Sequence, residues 1–376
     1  MTTLEQKESS SSSMRKNLLA LLFSIGLTLV FLELGLRWVQ IDQPKPIEKP
    51  KENWALIPER VWIESHPELG WFHQKNKMAL QKVVDKTVTI HTDSQGFRGT
   101  REYPLERAGG VRLLAVGDSF VFGFGVEDSE VFTARLEAMQ PGLEVPNLAV
   151  AGYGIDQIYK SYQIIGRPYK PDLVLIGIYP EDFWRATRAF SDSGHAKPYF
   201  SLKGDGSLEL HNVPVPPPFT LDTHQFPDLI EWSPTQTILR QSALYRLVQK
   251  QLIRLGKNTG ILDPDLTVEW QVGKAILRKF IQEIREDGAT PLVLIAAPRQ
   301  WVQEKEPFSL HKSLLRFLKK EKVDYIDFTP VFQERMHDPK DIETYYMAGD
   351  WHWSPAGHAV VAEHILEYLK SHQRLP

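Results

Sequence analysis

The sequence predicts an α/β protein whose parallel sheet is covered by helices on both faces. Short apolar runs recur at 113–116, 143–150, 173–178, 292–297 and 323–328. Stretches of helical character separate them, at 131–139, 155–165, 268–286 and 310–321. Strands alternating with helices in this way imply parallel neighbours joined by crossover helices. A last helix closes the pattern. Ser354 suits its N-cap, Pro355 suits its first position, and Val361, Ile365, Tyr368 and Leu369 share one apolar face.

The regular pattern is preceded by four dissimilar pieces. Residues 1–16 are polar and are expected to form a flexible cytoplasmic tail. Within residues 17–38 an almost uninterrupted apolar stretch runs from Leu18 to Leu32, where Glu33 interrupts it near one end, and Trp38 serves as an interfacial anchor. About 20 helical residues at roughly 1.5 Å each span a hydrocarbon layer, so 17–38 is long enough for a transmembrane signal anchor. A cleaved signal peptide and a buried soluble helix are the competing readings. The absence of a small-x-small cleavage site favours the anchor. The charges of Arg15 and Lys16 favour a cytoplasmic N-terminus, although Arg37, Lys45, Lys49 and Lys51 follow on the other side. Residues 39–60, rich in Pro and Lys, read as a linker. The main domain is then expected over 61–376, opening with a strand at 83–91 and a turn at Asp93-Ser94-Gln95-Gly96. Within it, 189–265 breaks the strand-helix rhythm and reads as an insertion or cap over the site, with a helical stretch at 237–255, against the alternative of a poorly ordered excursion.

The totals exclude several classes of function. With 376 residues, 42% hydrophobic and 24% charged, the chain can bury a substantial core. A net charge of -3 leaves no electrostatic footprint for nucleic acid. The lack of cysteine rules out disulfides and thiolate metal sites, and no His/Asp/Glu group has metal-ligand spacing. No metal or cofactor is expected.

Two motifs carry the chemistry. Gly117-Asp118-Ser119-Phe120 follows the run at 113–116, so Ser119 is placed at the carboxyl edge of a strand, where open α/β sheets keep their sites. Asp350-Trp351-His352-Trp353 lies just before the last helix. A serine hydroxyl is a weak nucleophile that needs a histidine base and a group to orient the base, which Ser119, His352 and Asp350 supply. His358 is the weaker candidate for a base and reads better as a structural group. Gly123 and Gly125 lack the Lys-Ser/Thr ending of a phosphate loop and read as packing glycines.

These motifs, in this order, resemble the blocks of the SGNH (GDSL-type) hydrolase superfamily, and the chain is more narrowly similar to its bacterial membrane-anchored members. The resemblance covers roughly 93–369. It implies a three-layer α/β/α sandwich of flavodoxin-like topology. Ser119 is then the nucleophile and one oxyanion donor through its backbone N–H. Asn147-Leu148-Ala149-Val150-Ala151-Gly152 is similar to the second block, implying a second donor at the Gly152 N–H. Asp350-Trp351-His352 resembles the last block, and its Asp-x-His-Trp form is similar to that of bacterial polysaccharide O-acetylation proteins. The segment Asp93 to Gly99 is also similar to one in anchored members. The third block departs from the family. Glu181, in Gly177-Ile178-Tyr179-Pro180-Glu181-Asp182, stands where an asparagine amide is the usual oxyanion donor. A carboxylate would repel the developing charge, unless burial near Asp182 keeps Glu181 neutral and donating, another side chain supplies the bond, or the Ser119 and Gly152 donors suffice; the competing reading is that Glu181 and Asp182 cap or solvate the following helix. Asp118, Tyr153, Tyr179, Asp182, Trp351 and Trp353 are candidates for lining the substrate site, with Trp301 as a further aromatic; packing in the core is the equal alternative for the aromatic ones. The implied activity is a serine esterase acting on O-acyl, above all O-acetyl, groups of an envelope carbohydrate, anchored in the cell membrane with its catalytic domain outside the cytoplasm. A carbohydrate O-acetyltransferase using the same residues and a catalytically silent glycan-binding scaffold are the alternatives.

Overall fold

A computed structural model of the chain describes residues 2–39, 62–84, 86–107, 109–191, 195–216, 244, 247, 267–303 and 309–375. The chain divides into two compact units, one of residues 1–47 with 232–262 and the other of 48–231 with 263–376. In the first, α1 runs without a break over Thr2–Val39. The polar segment expected as a flexible tail is therefore helical. It contains neither Gly nor Pro and carries Leu4, Glu5, Gln6 and Lys7, all good helix formers. Leu21, Leu22, Phe23, Phe31 and Leu34 are each more than half exposed. Glu33 accepts the backbone N–H of Leu244, 2.9 Å away, within the same unit. Among the described residues no helix is long and apolar enough to cross a membrane. The side chains of Leu18 and Leu19, inside the expected span, are not among those described. The expected linker lies outside the described residues, apart from Val39 at its start, as does most of the expected insertion beyond 216.

The second unit opens with two antiparallel hairpins. β1 (Ile63–His66) pairs with β2 (Gly70–His73), and β3 (Met78–Val83) pairs with β4 (Lys86–His91). The single strand expected at 83–91 is thus the second arm of a hairpin whose first arm was not anticipated. Alternating burial along β3 shows why it forms a strand. Ala79, Gln81 and Val83 face inward while Met78, Leu80 and Lys82 face solvent.

The α/β portion then follows in order. β5 (Val111–Val116) leads into α2 (Ser119–Phe122) and α3 (Phe132–Met139), then the short β6 (Leu143–Glu144), α4 (Ile155–Ser161), β7 (Leu173–Ile178) and α5 (Glu181–Arg185). A small hairpin, β8 (Tyr199–Leu202) with β9 (Leu208–His211), occupies the near end of the expected insertion. α6 (Val268–Glu286), β10 (Thr290–Ile295), α7 (Arg299–Gln303), α8 (Ser309–Lys320), β11 (Asp324–Asp327), α9 (Phe328–Gln333), α10 (Ile342–Tyr345) and α11 (Pro355–Ser371) complete it. The last helix starts as expected, with the Ser354 hydroxyl accepting the Gly357 N–H.

The sheet is parallel and ordered β11-β10-β7-β5-β6. In strand succession this is the 2-1-3-4-5 order, with the switch point at the carboxyl end of β5. One face carries Leu113, Ala115, Leu173, Leu175, Leu292 and Leu294, in a core with Phe132 and Leu136 of α3, Phe328 of α9 and Val361, Ile365 and Leu369 of α11. The other face is covered by α4 and α6, and Tyr159 of α4 and Tyr162 just after it each approach Phe280 of α6. β6 is much shorter than the expected strand at 143–150. Pro146 interrupts it, and beyond that point only the Ala115–Asn147 bridge and single hydrogen bonds from Leu148 to Ala115 and Val150 to Gly117 keep the chain beside β5.

Candidate active site

The sequence around Ser119 makes a turn that raises its hydroxyl at the switch point. Asp118 is extended, at φ -98° and ψ -152°, and its carboxylate accepts the Phe120 N–H to cap α2. α2 can lie this close to the sheet because Gly117 and Gly177 have no side chain. A Cβ on Gly177 would come within 2.0 Å of the Val121 side chain, and one on Gly117 within 2.5 Å.

His352 arrives from the other end of the chain. The loop between α10 and α11 is pinned by three backbone hydrogen bonds, from Met347 to the His352 carbonyl, from Asp350 to Met347 and from Ser354 to Tyr345. His352 Nε2 lies 2.8 Å from Ser119 Oγ, and His352 Nδ1 lies 2.6 Å from Asp350 Oδ1. The same Asp350 oxygen accepts the His352 backbone N–H at 2.8 Å. A carboxylate can only accept, so Nδ1 carries the proton and Nε2 is left to receive the one on Ser119. Burial alone would raise the Asp350 carboxyl, but the hydrogen bonds and charge of His352 hold it below the usual carboxylate range. Ser119 and His352 are both buried, while Trp351 stands out beside them, 59% exposed. Phe124, which the motifs did not single out, lies against the His352 ring at 4.6 Å between centroids.

Among the described residues, neither the Ser119 nor the Gly152 backbone N–H has an acceptor within the protein. Gly152 takes φ +81° two residues after Val150, which is hydrogen-bonded to the Gly117 carbonyl. The second expected donor therefore lies in a loop tied to the end of the strand that leads to Ser119. Asn147 of the same block is structural. Its amide donates to the Val121 carbonyl, and its side-chain oxygen accepts the Ala149 N–H.

Several expected roles change. Glu181 is not buried. Its side chain is 55% exposed and forms an ion pair with Arg185 one turn later. The buried acid is Asp182, whose carboxylate accepts the Tyr179 N–H at 2.8 Å and meets Arg185 at 2.9 Å. Burial first, and the charge of Asp118 second, push Asp182 well above the usual carboxylate range. Tyr153 and Trp353 are wholly buried, Trp301 nearly so, and these rings pack the core and do not line a groove. The Tyr153 hydroxyl donates to the Trp71 carbonyl. Tyr179 is mostly buried and stacks on Phe120 at 4.8 Å. His358 is buried against Phe132, and burial pushes it down to about 3, which disqualifies it as a base at neutral pH. The 93–99 segment is also architectural. Asp93 accepts the Gln95 and Phe97 N–H groups, while Arg98 donates to the Val126 carbonyl and lies over the Phe122 ring. The loop after Ser119 is held by this buried arginine. Among the described residues no group of His, Asp and Glu could hold a metal ion.

An open parallel α/β sheet with a hydrogen-bonded Ser-His-Asp array at its switch point defines the class of the protein. No family model and no curated protein matches the chain. Among solved structures it is similar to a lipolytic protein of the G-D-S-L family from Desulfitobacterium hafniense, at 12% identity and a TM-score of 0.38 over 69% of this chain and 99% of that one. It is similar to LAE5, an α/β hydrolase from the metagenome of Lake Arreo in Spain, at 14% identity and a TM-score of 0.40 over 69% and 95%. It is also similar to Axe2, an acetylxylan esterase from Geobacillus stearothermophilus, at 14% identity and a TM-score of 0.38 over 69% and 94%.

Proposed function

We propose that the chain is a membrane-tethered serine esterase of the SGNH type that removes O-acyl groups, above all acetyl, from an envelope carbohydrate. The observation that carries this reading is the unbroken hydrogen-bonded line from Asp350 through His352 to Ser119. Ser119 Oγ attacks the acyl carbonyl as its proton passes to His352 Nε2, and Asp350 stabilises the imidazolium that forms. The Ser119 and Gly152 N–H groups receive the oxyanion. His352 returns the proton to the departing sugar oxygen. Water, activated by the same nitrogen, then releases the acid and frees Ser119.

An exposed Trp351 next to the base supports a sugar substrate, because an indole face matches the flat apolar face of a pyranose. The tether rests on α1. The part of α1 from 20 to 32 carries no charge, and the leucines and phenylalanines exposed along it call for a cover of lipid or protein. With Arg15 and Lys16 retained in the cytoplasm, the catalytic unit falls on the extracytoplasmic side.

The test is to incubate the purified chain with an acetylated oligosaccharide, with and without an unacetylated acceptor. Free acetate, formed at the same rate whether or not acceptor is present, supports the esterase. Acetyl groups appearing on the acceptor would instead make the protein a transferase. No release of acetyl by folded protein would make it a silent scaffold.

A further inference from the structure

The Gly152 N–H is the expected oxyanion donor outside the nucleophile turn, and the residues on either side of it are held by side chains from distant parts of the chain. Trp71 in β2 donates its indole N–H to the Ala151 carbonyl at 3.4 Å. That carbonyl belongs to the same planar peptide unit as the Gly152 N–H, so fixing one sets the direction of the other. A Cβ on Gly152 would sit 3.7 Å from the Trp71 ring. On the other side, Arg185 Nη1 lies 3.1 Å from the Tyr153 carbonyl, 2.9 Å from Asp182 and 3.4 Å from Asp118 of the nucleophile turn. The end of α5 reaches this loop because residue 154 is glycine. A Cβ there would come within 2.7 Å of Arg185 Cβ. The Arg185 carbonyl is itself held by the buried Lys197 ammonium at 3.0 Å.

Resting on the reading of Ser119 as nucleophile, we infer that Trp71 and Arg185 are positioning residues that clamp the 151–153 loop from both sides and aim the Gly152 N–H at the oxyanion. Neither residue touches the reacting atoms. They take the place of the missing amide after β7 by tightening the donor that remains. The clamp also ties the β1–β2 hairpin, which precedes the regular α/β portion, to the chemistry.

The experiment compares Trp71→Phe, which keeps an aromatic ring but loses the N–H, with Arg185→Met and Arg185→Lys. For each, kcat and KM on p-nitrophenyl acetate, the inhibition constant of phenylboronic acid as a tetrahedral mimic, and the melting temperature are measured. The clamp predicts kcat lower by about 10-fold in Trp71→Phe and by up to the 100- to 1000-fold cost of one lost donor in Arg185→Met, with KM moved less than about 2-fold. Boronate affinity falls in step with kcat/KM. Arg185→Lys keeps the charge but cannot reach all three partners, and loses about 10-fold. Folded Trp71→Phe and Arg185→Lys with wild-type kcat and boronate affinity overturn the clamp alone. Wild-type protein that neither turns over the ester nor takes the boronate overturns the clamp and the Ser119 reading together.

Discussion

Ser119→Ala should lower ester hydrolysis by about 10⁶-fold, and Asp350→Asn by about 10³- to 10⁴-fold, because the amide leaves His352 in the wrong tautomer. Steady-state kinetics on an activated ester reads both. His73 and His358 set an acid limit on stability. Burial lowers them from 6.5 to about 4 and about 3 respectively. Above 6.5 both are neutral whether folded or not. As pH falls below 6.5 the unfolded chain takes up protons that the folded one refuses, so stability declines from there toward pH 4. Between pH 6.5 and 5 each can remove on the order of 2 kcal/mol. The urea midpoint should therefore be lower at pH 5 than at pH 7, and His358→Gln should flatten the decline; an equal or higher midpoint at pH 5 would contradict this. Ser119, Asp350 and His352 were legible as residues because each sits in a short motif. Arg185, Trp71 and Phe124 were not, since their importance comes only from what the fold sets beside them.

At the scale of elements the close contact of α2 with β7 is the most exposed to test. Gly177→Ala puts a methyl group into Val121 and should destabilise by about 1–3 kcal/mol, with loss of activity as the nucleophile turn is displaced. Val121→Ala in the same chain relieves the overlap and should restore part of both, read from melting curves and rates side by side. The strands at the centre of the sheet were readable because burial on both faces makes them continuous apolar runs, and β7 lies where the sequence puts it. β6 is shorter than its apolar run because the run continues past Pro146, where only a single bridge and two hydrogen bonds keep the chain beside β5. The first arm of the 78–91 hairpin was missed because Met78, Leu80 and Lys82 on its outer face hide the alternation. The third block misled for a related reason. Sequence position put Glu181 at the site, whereas the start of α5 turns it to solvent and brings Asp182 inward.

At the scale of the whole molecule, the sequence order of the motifs, strand-serine first and histidine-helix last, already carried the topology. The 2-1-3-4-5 sheet turns that order into proximity, bringing residues 119 and 352 to 2.8 Å. Residues 62–100 were harder to assign, because their role lies in contacts with loops from elsewhere in the sequence. The tether predicts that the full chain stays with membranes through high-salt and alkaline carbonate washes, whereas a chain beginning at Glu48 is released, as fractionation and immunoblotting would show. Covalent labelling is the most direct measurement on the central claim. Folded protein treated with a fluorophosphonate should gain one adduct by intact mass, mapped to Ser119 and absent from Ser119→Ala. Labelling slowed by Asp350→Asn would agree with the Ser-His-Asp line. Folded wild-type protein that gains no adduct, or gains it at another serine, would contradict the account.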